Sequence, residues 1–276
     1  MLELGPLRVE ALPDGAFSLD GGTIFGVVPR ALWERQLAPD PRNRVRLTAR
    51  CLLVRGAGRV ALVDTGMGDD WSDKQRDLYA IDRSATLLSR LAERGIAPGD
   101  VTDVVLTHLH FDHAGGLSRQ GALTFPRAAH HVQRRNWEWA QSPSERDRGS
   151  FRPENFAVLQ ESAQLHLVEG ERELWPGLRV IPTDGHTAAH QCVLLEGGGR
   201  SLLYPGDLIP TAAHLRAAWA LSYDLQPLTL LREKQLLLDR AAADGSIVVF
   251  DHDPRLGACT VRREGKDFVP EGETAL

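Results

Sequence analysis

The chain of 276 residues has little cysteine, no apolar run long enough to span a membrane and no excess of basic charge. Its three cysteines, Cys51, Cys192 and Cys259, are far apart and form no CxxC pair. An odd number of scattered cysteines argues against a disulfide framework and against a cysteine zinc site. We therefore expect buried, unpaired thiols.

The lack of long apolar runs and of excess basic charge limits the kinds of binding partner that we expect. No stretch approaches the roughly 18 consecutive apolar residues of a membrane-spanning helix. The N-terminal MLELGPLRVE carries acidic residues and lacks the apolar core of a secretory signal, which predicts a cytoplasmic protein with no membrane partner. With 32 lysines and arginines against 37 acidic residues, the net charge is −5, so no basic surface for nucleic acid is expected.

What the sequence does contain is a succession of short β patterns that alternate with a few helical ones. Apolar or alternating runs predict strands at 23–28, 46–55, 59–64 and 103–106, and again at 191–196, 201–204 and 246–250. Helices are predicted from about 82 to 95 and over 228–243. Two β-rich halves, each with a helix and a further strand, predict an α/β fold of two packed sheets with helices outside.

The length suits a single domain over 1–276, with two segments that fit the pattern badly. Residues 126–162 carry Trp137 and Trp139 among balanced charges, and we expect a lid or insertion there, a small satellite core or a dimer contact. Residues 210–226 form a second predicted excursion from the core. The polar tail from Glu264 is expected to be loosely held.

The densest cluster of chemically useful residues is HLHFDH, which follows the apolar strand VVL. It places His108, His110, Asp112 and His113 where a strand turns into a loop. A histidine-rich surface turn is the simpler interpretation of this motif taken alone. A metal site is the alternative that the rest of the chain favours.

Other motifs share this setting, because each places a polar residue where a predicted buried strand ends. They are Asp64 in VALVDTG, His186 in DGHTAAH, Asp207 in YPGD and His252 in FDHD. Such positions converge on one edge of a sheet. Imidazoles and carboxylates are ligands for zinc and related divalent metals. Seven of these side chains, all of them except Asp64, exceed what one tetrahedral ion needs and predict two divalent ions per chain, zinc first, with manganese, cobalt or iron as alternatives.

Together, these motifs resemble the motif series of the metallo-β-lactamase superfamily, and the resemblance covers about residues 45 to 255. The resemblance implies a four-layer αββα sandwich with a dinuclear site between the sheets. It implies that His108, His110 and His186 hold one metal and that Asp112, His113 and His252 hold the other. By the same resemblance Asp207 bridges the two ions and Asp64 orients a ligand histidine.

Departures from each branch of the superfamily narrow the function. The β-lactamases typically have cysteine where this chain has Asp207, and the diiron flavoproteins have glutamate in place of His110. Glyoxalase II has a helical C-terminal domain, for which the 24 residues after His252 are too few. The nuclease branch calls for a basic surface or an RNA-binding arm, which the charge balance does not provide.

The motifs look most similar to quorum-quenching lactonases and to methyl parathion hydrolase-type enzymes. Many such lactonases have a substrate-orienting tyrosine three residues after the bridging aspartate, where this chain has Pro210. His214 and Tyr223 are candidates to supply the missing donor, or else they are ordinary packing residues. Phe111 and Trp137 are candidates to line an apolar substrate pocket.

We therefore predict a dinuclear metal-dependent hydrolase that uses a metal-bridging hydroxide on a small neutral ester-like substrate. A lactone is the first expectation, followed by a phosphotriester and then a thioester of the glyoxalase II type. Asp112 is the predicted catalytic residue, carrying a proton to the leaving oxygen. A metal-bearing binding protein without turnover is the non-enzyme alternative, and a homodimer is left open.

Overall fold

The computed structural model describes all 276 residues. Its strands, in chain order, are β1 (Leu2–Leu4), β2 (Leu7–Asp20), β3 (Arg44–Gly56), β4 (Arg59–Val63), β5 (Asp103–Val105), β6 (Ser118–Arg119), β7 (Ala122–Leu123), β8 (Ala129–Gln133), β9 (Leu165–Val168), β10 (Arg172–Trp175), β11 (Leu178–Thr183), β12 (His190–Gly197), β13 (Arg200–Tyr204), β14 (Ile247–Val249), β15 (Ala258–Glu264) and β16 (Asp267–Glu273). The α-helices are α1 (Gly21–Phe25), α2 (Arg30–Trp33), α3 (Asp73–Leu78), α4 (Leu87–Ala92), α5 (Phe111–Ala114), α6 (Arg134–Gln141), α7 (Pro153–Phe156) and α8 (Pro227–Asp244). None of these helices combines the length and the apolar character that crossing a bilayer requires.

Two seven-stranded sheets form the centre of the molecule. The first has the order β1-β2-β3-β4-β5-β8-β9, and the second has the order β10-β11-β12-β13-β14-β15-β16, while β6 and β7 form a separate hairpin. Both sheets are mixed. In the first, β4, β5, β8 and β9 run parallel to one another, whereas β3 and β4 are antiparallel, and in the second β13 and β14 are parallel.

Buried side chains divide the molecule into four layers. One core, with Val54 and Val63 from the first sheet and Leu195 and Val249 from the second, lies between the sheets. A second core joins the outer face of the first sheet to α4 and α6. A third joins the outer face of the second sheet to α8. The predicted αββα sandwich is confirmed.

Local sequence explains several elements directly. The turn between β3 and β4 consists of Ala57 and Gly58, with φ of 50° and 73°, and two residues of positive φ match the twist of a hairpin. Helix α8 begins at Pro227, where the missing N–H costs nothing, and ends at Asp244, followed by Gly245 in the left-handed conformation. This helix lies where the pattern predicts it.

Other expectations are corrected by the structure. Residues 23–28 were expected to form a strand, but 21–25 are helical because the Asp20 side chain caps this turn by accepting from the Gly22 N–H. The tail beyond Glu264 is not loose, since six of the seven residues of β16 pair with β15. Within 126–162, Ala129–Gln133 is an internal strand of the first sheet, and only the residues from Arg134 onward leave it.

Candidate metal centre

The chemically useful side chains lie where strands of both sheets end. Asp64 follows β4, His108 follows β5, His186 follows β11, Asp207 follows β13 and His252 follows β14. All of them are buried. The convergence expected from the strand-end pattern is therefore present, and both sheets contribute to it.

These side chains form two groups that share one carboxylate. The ligand atoms within each group all lie within 4.8 Å of one another. The first group contains His108, His110, His186 and Asp207, and the second contains His113, Asp207, Asp251 and His252. Because Asp207 belongs to both groups, it occupies the position that a bridging ligand requires.

Unpartnered atoms inside this cluster show that its residues fit metal ions. The Nε2 atoms of His108, His113 and His252 are buried without a hydrogen-bond partner, and so is Oδ1 of Asp207. Nε2 of His252 lies only 2.9 Å from Oδ1 of Asp207, yet the two form no hydrogen bond. Burying a polar atom without a partner costs free energy. These nitrogen and oxygen atoms are therefore arranged as ligand atoms that face shared cations.

Hydrogen bonds on the far side of the rings determine which nitrogen faces the centre. Nδ1 of His113 lies 2.9 Å from Asp64 Oδ2, and Nδ1 of His186 lies 2.8 Å from Asp224 Oδ1. Nδ1 of His252 donates to the carbonyl of Thr48 at 2.8 Å. In a neutral imidazole the nitrogen that donates carries the only proton, so Nε2 then has the lone pair that a metal needs.

The Asp64 carboxylate is held in place by buried hydrogen bonds. Its Oδ1 accepts from the Thr107 N–H at 2.7 Å, and its Oδ2 contacts His113. The loop after it is anchored by buried Asp14, whose carboxylate accepts from the N–H groups of Met67 at 2.8 Å and Gly68 at 3.3 Å. These contacts fix the Asp64 carboxylate beside His113 and tie the loop that follows it to β2 through Asp14.

The electrostatics differ between the histidines. Burial and the neighbouring imidazoles hold the pKa of His108 well below its usual range. For His252, burial acts downward, but the carboxylates of Asp251 and Asp207 outweigh it and raise the pKa to about 10. The surrounding imidazoles, His252 first, hold the pKa of Asp207 well below its usual value despite its burial. Asp207 thus lies in a site that favours positive charge.

Two aspartates need separate description. Asp112 lies at the margin of the second group, with Oδ2 3.5 Å from Nε2 of His252 and Oδ1 3.9 Å from Nε2 of His113. Asp251, which the sequence analysis did not single out, lies inside that group, and both of its oxygens are buried without partners. Its position beside His252 in the FDHD motif was the available signal.

His214 does not have a free donor for a substrate. Its Nδ1 is 2.8 Å from Thr211 Oγ1, its Nε2 donates to the Ile24 carbonyl at 2.9 Å, and its ring stacks on Phe25. Both nitrogens are therefore used inside the protein, and His214 is a packing residue. Trp137 likewise packs edge-on against Phe156 in the outer core of the first sheet.

The side chains at the margin of the centre are mostly aromatic. Phe151 packs on the His110 ring at 4.6 Å, and Tyr223 lies 6.2 Å from the His186 ring. Phe111 stacks against Tyr79 and meets Trp71 edge-on. Of the residues predicted to contact the substrate, Phe111 and Tyr223 lie beside the centre. Phe151 and Asp224 were missed, because only the fold brings them to His110 and His186.

Comparisons with known proteins agree with this geometry. Residues 45–252 match the model of the metallo-β-lactamase superfamily. An N-acyl homoserine lactonase from Bacillus cereus is 30% identical over 56% of this chain and 61% of its own length. A probable metallo-hydrolase from Mycobacterium bovis is 28% identical over 77% of this chain and 76% of its own length.

Solved structures extend the likeness over the whole chain. A probable metal-dependent hydrolase from Staphylococcus aureus is 29% identical, with a TM-score of 0.90 over all of both chains. The dizinc lactonase AidC shares the fold at 21% identity, with a TM-score of 0.83 over 100% of this chain and 97% of its own. By its sequence motifs, its layered fold and the family match, this chain belongs to the metallo-β-lactamase superfamily.

Proposed function

We propose that this protein is a dinuclear metal-dependent hydrolase of small, neutral ester-like compounds, with lactones as the preferred class. The observation that supports it best is the pair of ligand groups sharing Asp207, with unpartnered imidazole nitrogens directed inward. A structural zinc needs only four ligands, and it would leave three of these seven residues unused. This surplus argues against a binding protein without turnover.

The metal ligands that we propose are His108, His110 and His186 for one ion and His113, His252 and Asp112 for the other, with Asp207 shared. Asp251 is a further carboxylate available to the second ion. Zinc is the proposed metal, and manganese, cobalt or iron could occupy the same donor set. When bound, two such ions would lower the pKa of a water molecule and polarise an ester carbonyl.

The chain's own residues would handle the proton and the substrate. Asp112 is 8% exposed, more than the other six proposed ligands, and is therefore the most accessible of them to solvent. In lactone hydrolysis water adds to the carbonyl, the ring C–O bond breaks and the released oxygen takes a proton. We propose that Asp112 passes this proton from the water to the departing oxygen.

We propose that Tyr223 takes the role of the substrate-orienting tyrosine, because this chain has Pro210 at the position of that tyrosine. Tyr223 packs beside His186, and its hydroxyl forms no hydrogen bond with another residue. Burial, followed by the nearby carboxylates of Asp207 and Asp112, raises the pKa of Tyr223 well above its usual value. The phenol would therefore stay protonated and could donate to the carbonyl oxygen of a substrate.

The surroundings favour a neutral substrate with an apolar part. Phe111, Trp71 and Phe151 supply aromatic surface at the margin of the centre. Arg152, whose guanidinium lies over the Trp71 ring, is already paired with Glu154 at 2.9 Å. The name of the Bacillus cereus relative, N-acyl homoserine lactonase, agrees with this substrate class. Its alignment covers 61% of that protein, so the activity remains our proposal.

The deciding experiment is a turnover panel on zinc-loaded protein: an acyl lactone, an aryl phosphotriester and a glutathione thioester. We expect the lactone to have the highest kcat/KM and elemental analysis to find two metals per chain. Asp207→Asn is the matched inactive control, since it preserves size and removes charge. A clear preference for the phosphotriester or thioester would replace the substrate assignment. Well under one metal per chain after reconstitution would reject the dinuclear site.

A further inference from the structure

Tyr79 has a fixed backbone at the margin of the metal centre. It follows α3, which begins with a capping box between Ser72 and Gln75. The Tyr79 N–H donates to the Gln75 carbonyl at 2.9 Å, and its own carbonyl accepts from the Ser18 N–H of β2 at 2.6 Å. These bonds join the end of a short helix to a sheet strand. Tyr79 is therefore presented by a rigid frame.

The ring of Tyr79 is held as firmly as its backbone. It stacks on Phe111 with centroids 5.6 Å apart and planes 27° apart, and Trp71 meets it edge-on at 5.9 Å. Trp71 is fixed in turn, because its indole N–H donates to the carbonyls of Met67 and Gly68. Phe111 lies between His110 and Asp112 in the chain, so this aromatic wall extends to the proposed ligands.

Within this aromatic cluster of Tyr79, Phe111 and Trp71, the Tyr79 hydroxyl is a polar group without a partner. It makes no hydrogen bond to another residue and still contacts solvent, while its ring is half-buried. Burial and the nearby Asp112 carboxylate raise the pKa of Tyr79, which keeps the phenol protonated at neutral pH. A phenol with an immobilised ring and an unused donor loses little side-chain entropy on binding.

Tyr79 and Tyr223 lie beside different parts of the centre. Tyr223 packs against His186 of the first ligand group. Tyr79 packs against Phe111, the residue that precedes Asp112 at the margin of the second group. If Tyr223 binds the ester carbonyl, a substrate that also reaches Tyr79 needs a second hydrogen-bond acceptor outside the ester, next to an apolar part that covers the Phe111–Trp71 wall.

We infer that Tyr79 is a specificity-determining residue, whose hydroxyl donates to a second polar group of the substrate and so favours lactones that carry a hydrogen-bond acceptor outside the ring over plain alkyl lactones. This inference rests on the proposed lactone hydrolysis. The Tyr79 hydroxyl adds a contact that involves neither the lactone ring nor the ester bond that is cleaved. Tyr79 consequently affects which lactone binds and not how fast the bound ester is cleaved.

The test uses zinc-loaded wild type and Tyr79→Phe, which removes the hydroxyl and keeps the ring on Phe111. Each protein is assayed on two lactones of equal chain length, one with an acylamino substituent and one with a plain alkyl chain. The alkyl lactone is the matched control. We expect the KM of the acylamino lactone to rise roughly tenfold, the factor for one lost hydrogen bond, with kcat within about twofold. The alkyl lactone should be unaffected.

A second measurement does not depend on turnover. Binding of the ring-opened acylamino product is followed by tryptophan fluorescence, because Trp71 lies against Tyr79. We expect its Kd to rise by the same factor in Tyr79→Phe. Tyr79→Leu, which also removes the ring, should weaken binding of both the acylamino and the alkyl product.

The outcomes separate this inference from the proposed function. Equal KM changes for the two lactones, or none, would overturn the assignment of Tyr79 while lactone hydrolysis stands. If wild type cleaves neither lactone, the proposed function fails, and Tyr79 is judged by product binding alone. An unchanged Kd in Tyr79→Phe would then reject the inference, and absence of binding to wild type would reject both.

Discussion

The two ligand groups of the centre differ in how much negative charge surrounds them. In the first group Asp207 is the only carboxylate, and only His186 has a carboxylate, that of Asp224, behind its ring. The second group adds Asp251, with Asp112 3.5 Å from Nε2 of His252. Asp64 also lies behind His113. The second group is therefore the more anionic, and it gains more from a cation.

This difference has a consequence for stability. Buried carboxylates are costly unless positive charge compensates them. Burial raises the pKa of Asp251 to about 7, and neither of its oxygens has a partner. The second group would thus contribute more to folding in the metal-loaded protein than the first group, since binding energy adds to the stability of the state that binds.

The largest effect is expected from Asp207, which the two groups share. Asp207→Ala leaves two imidazole clusters without their common carboxylate, a loss of about 3–5 kcal/mol, or more than roughly 100-fold in metal affinity. Elemental analysis after dialysis should find neither metal retained. Asp103→Asn, at the opposite end of β5, is the control and should retain both metals. Full retention in Asp207→Ala would show that the groups do not share it.

A pair of variants separates the two groups. Asp64→Asn weakens the support of His113, and Asp224→Asn weakens the support of His186. Loss of such an orienting partner typically costs about 10- to 100-fold in metal affinity. Stepwise metal titration against a chelator should show a different step weakened in each variant. If both variants weaken the same step, the division into two groups is wrong.

His214 provides a prediction about stability without catalysis. His214→Leu leaves the Ile24 carbonyl and the Thr211 hydroxyl without their partner, which should cost about 1–3 kcal/mol in the free energy of unfolding. Urea denaturation measures that loss. At temperatures where the variant is folded, kcat/KM should match wild type. A selective loss of kcat would restore His214 to the substrate site.

The smallest effect concerns acid stability away from the metals. Burial would raise the pKa of Asp103, but hydrogen bonds from His131 and Thr102 and the pairing with Arg59 lower it to about 2, from 3.8 in the unfolded chain. The stability that this carboxylate contributes is complete above pH 4 and is lost as the pH falls toward 2. Unfolding followed from pH 5 to 2 should therefore be less steep in Asp103→Asn. An unchanged slope would assign acid sensitivity elsewhere.

Much of the centre could be predicted because its residues follow strands that are readable locally. HLHFDH, DGHT, YPGD and FDHD each end an apolar strand, so side-chain type and position along the chain were both visible. The layered fold and the placement of α8 were predictable for the same reason. The strand expected at 23–28 failed because a single cap at Asp20 outweighed the weak β pattern.

The sequence alone determined which residues are able to bind metal, because imidazoles and carboxylates at strand ends are a local property. Only the tertiary structure decided which partners they have. Asp224 lies 38 residues from His186, and Thr48 lies 204 residues from His252, and no local pattern relates such distant pairs. The same holds for Tyr79 and Phe111. They meet because β2 holds the segment after α3 against the segment 108–113, which contains Phe111. Contacts between distant segments depend on how the sheets pack, and packing is set by the whole core.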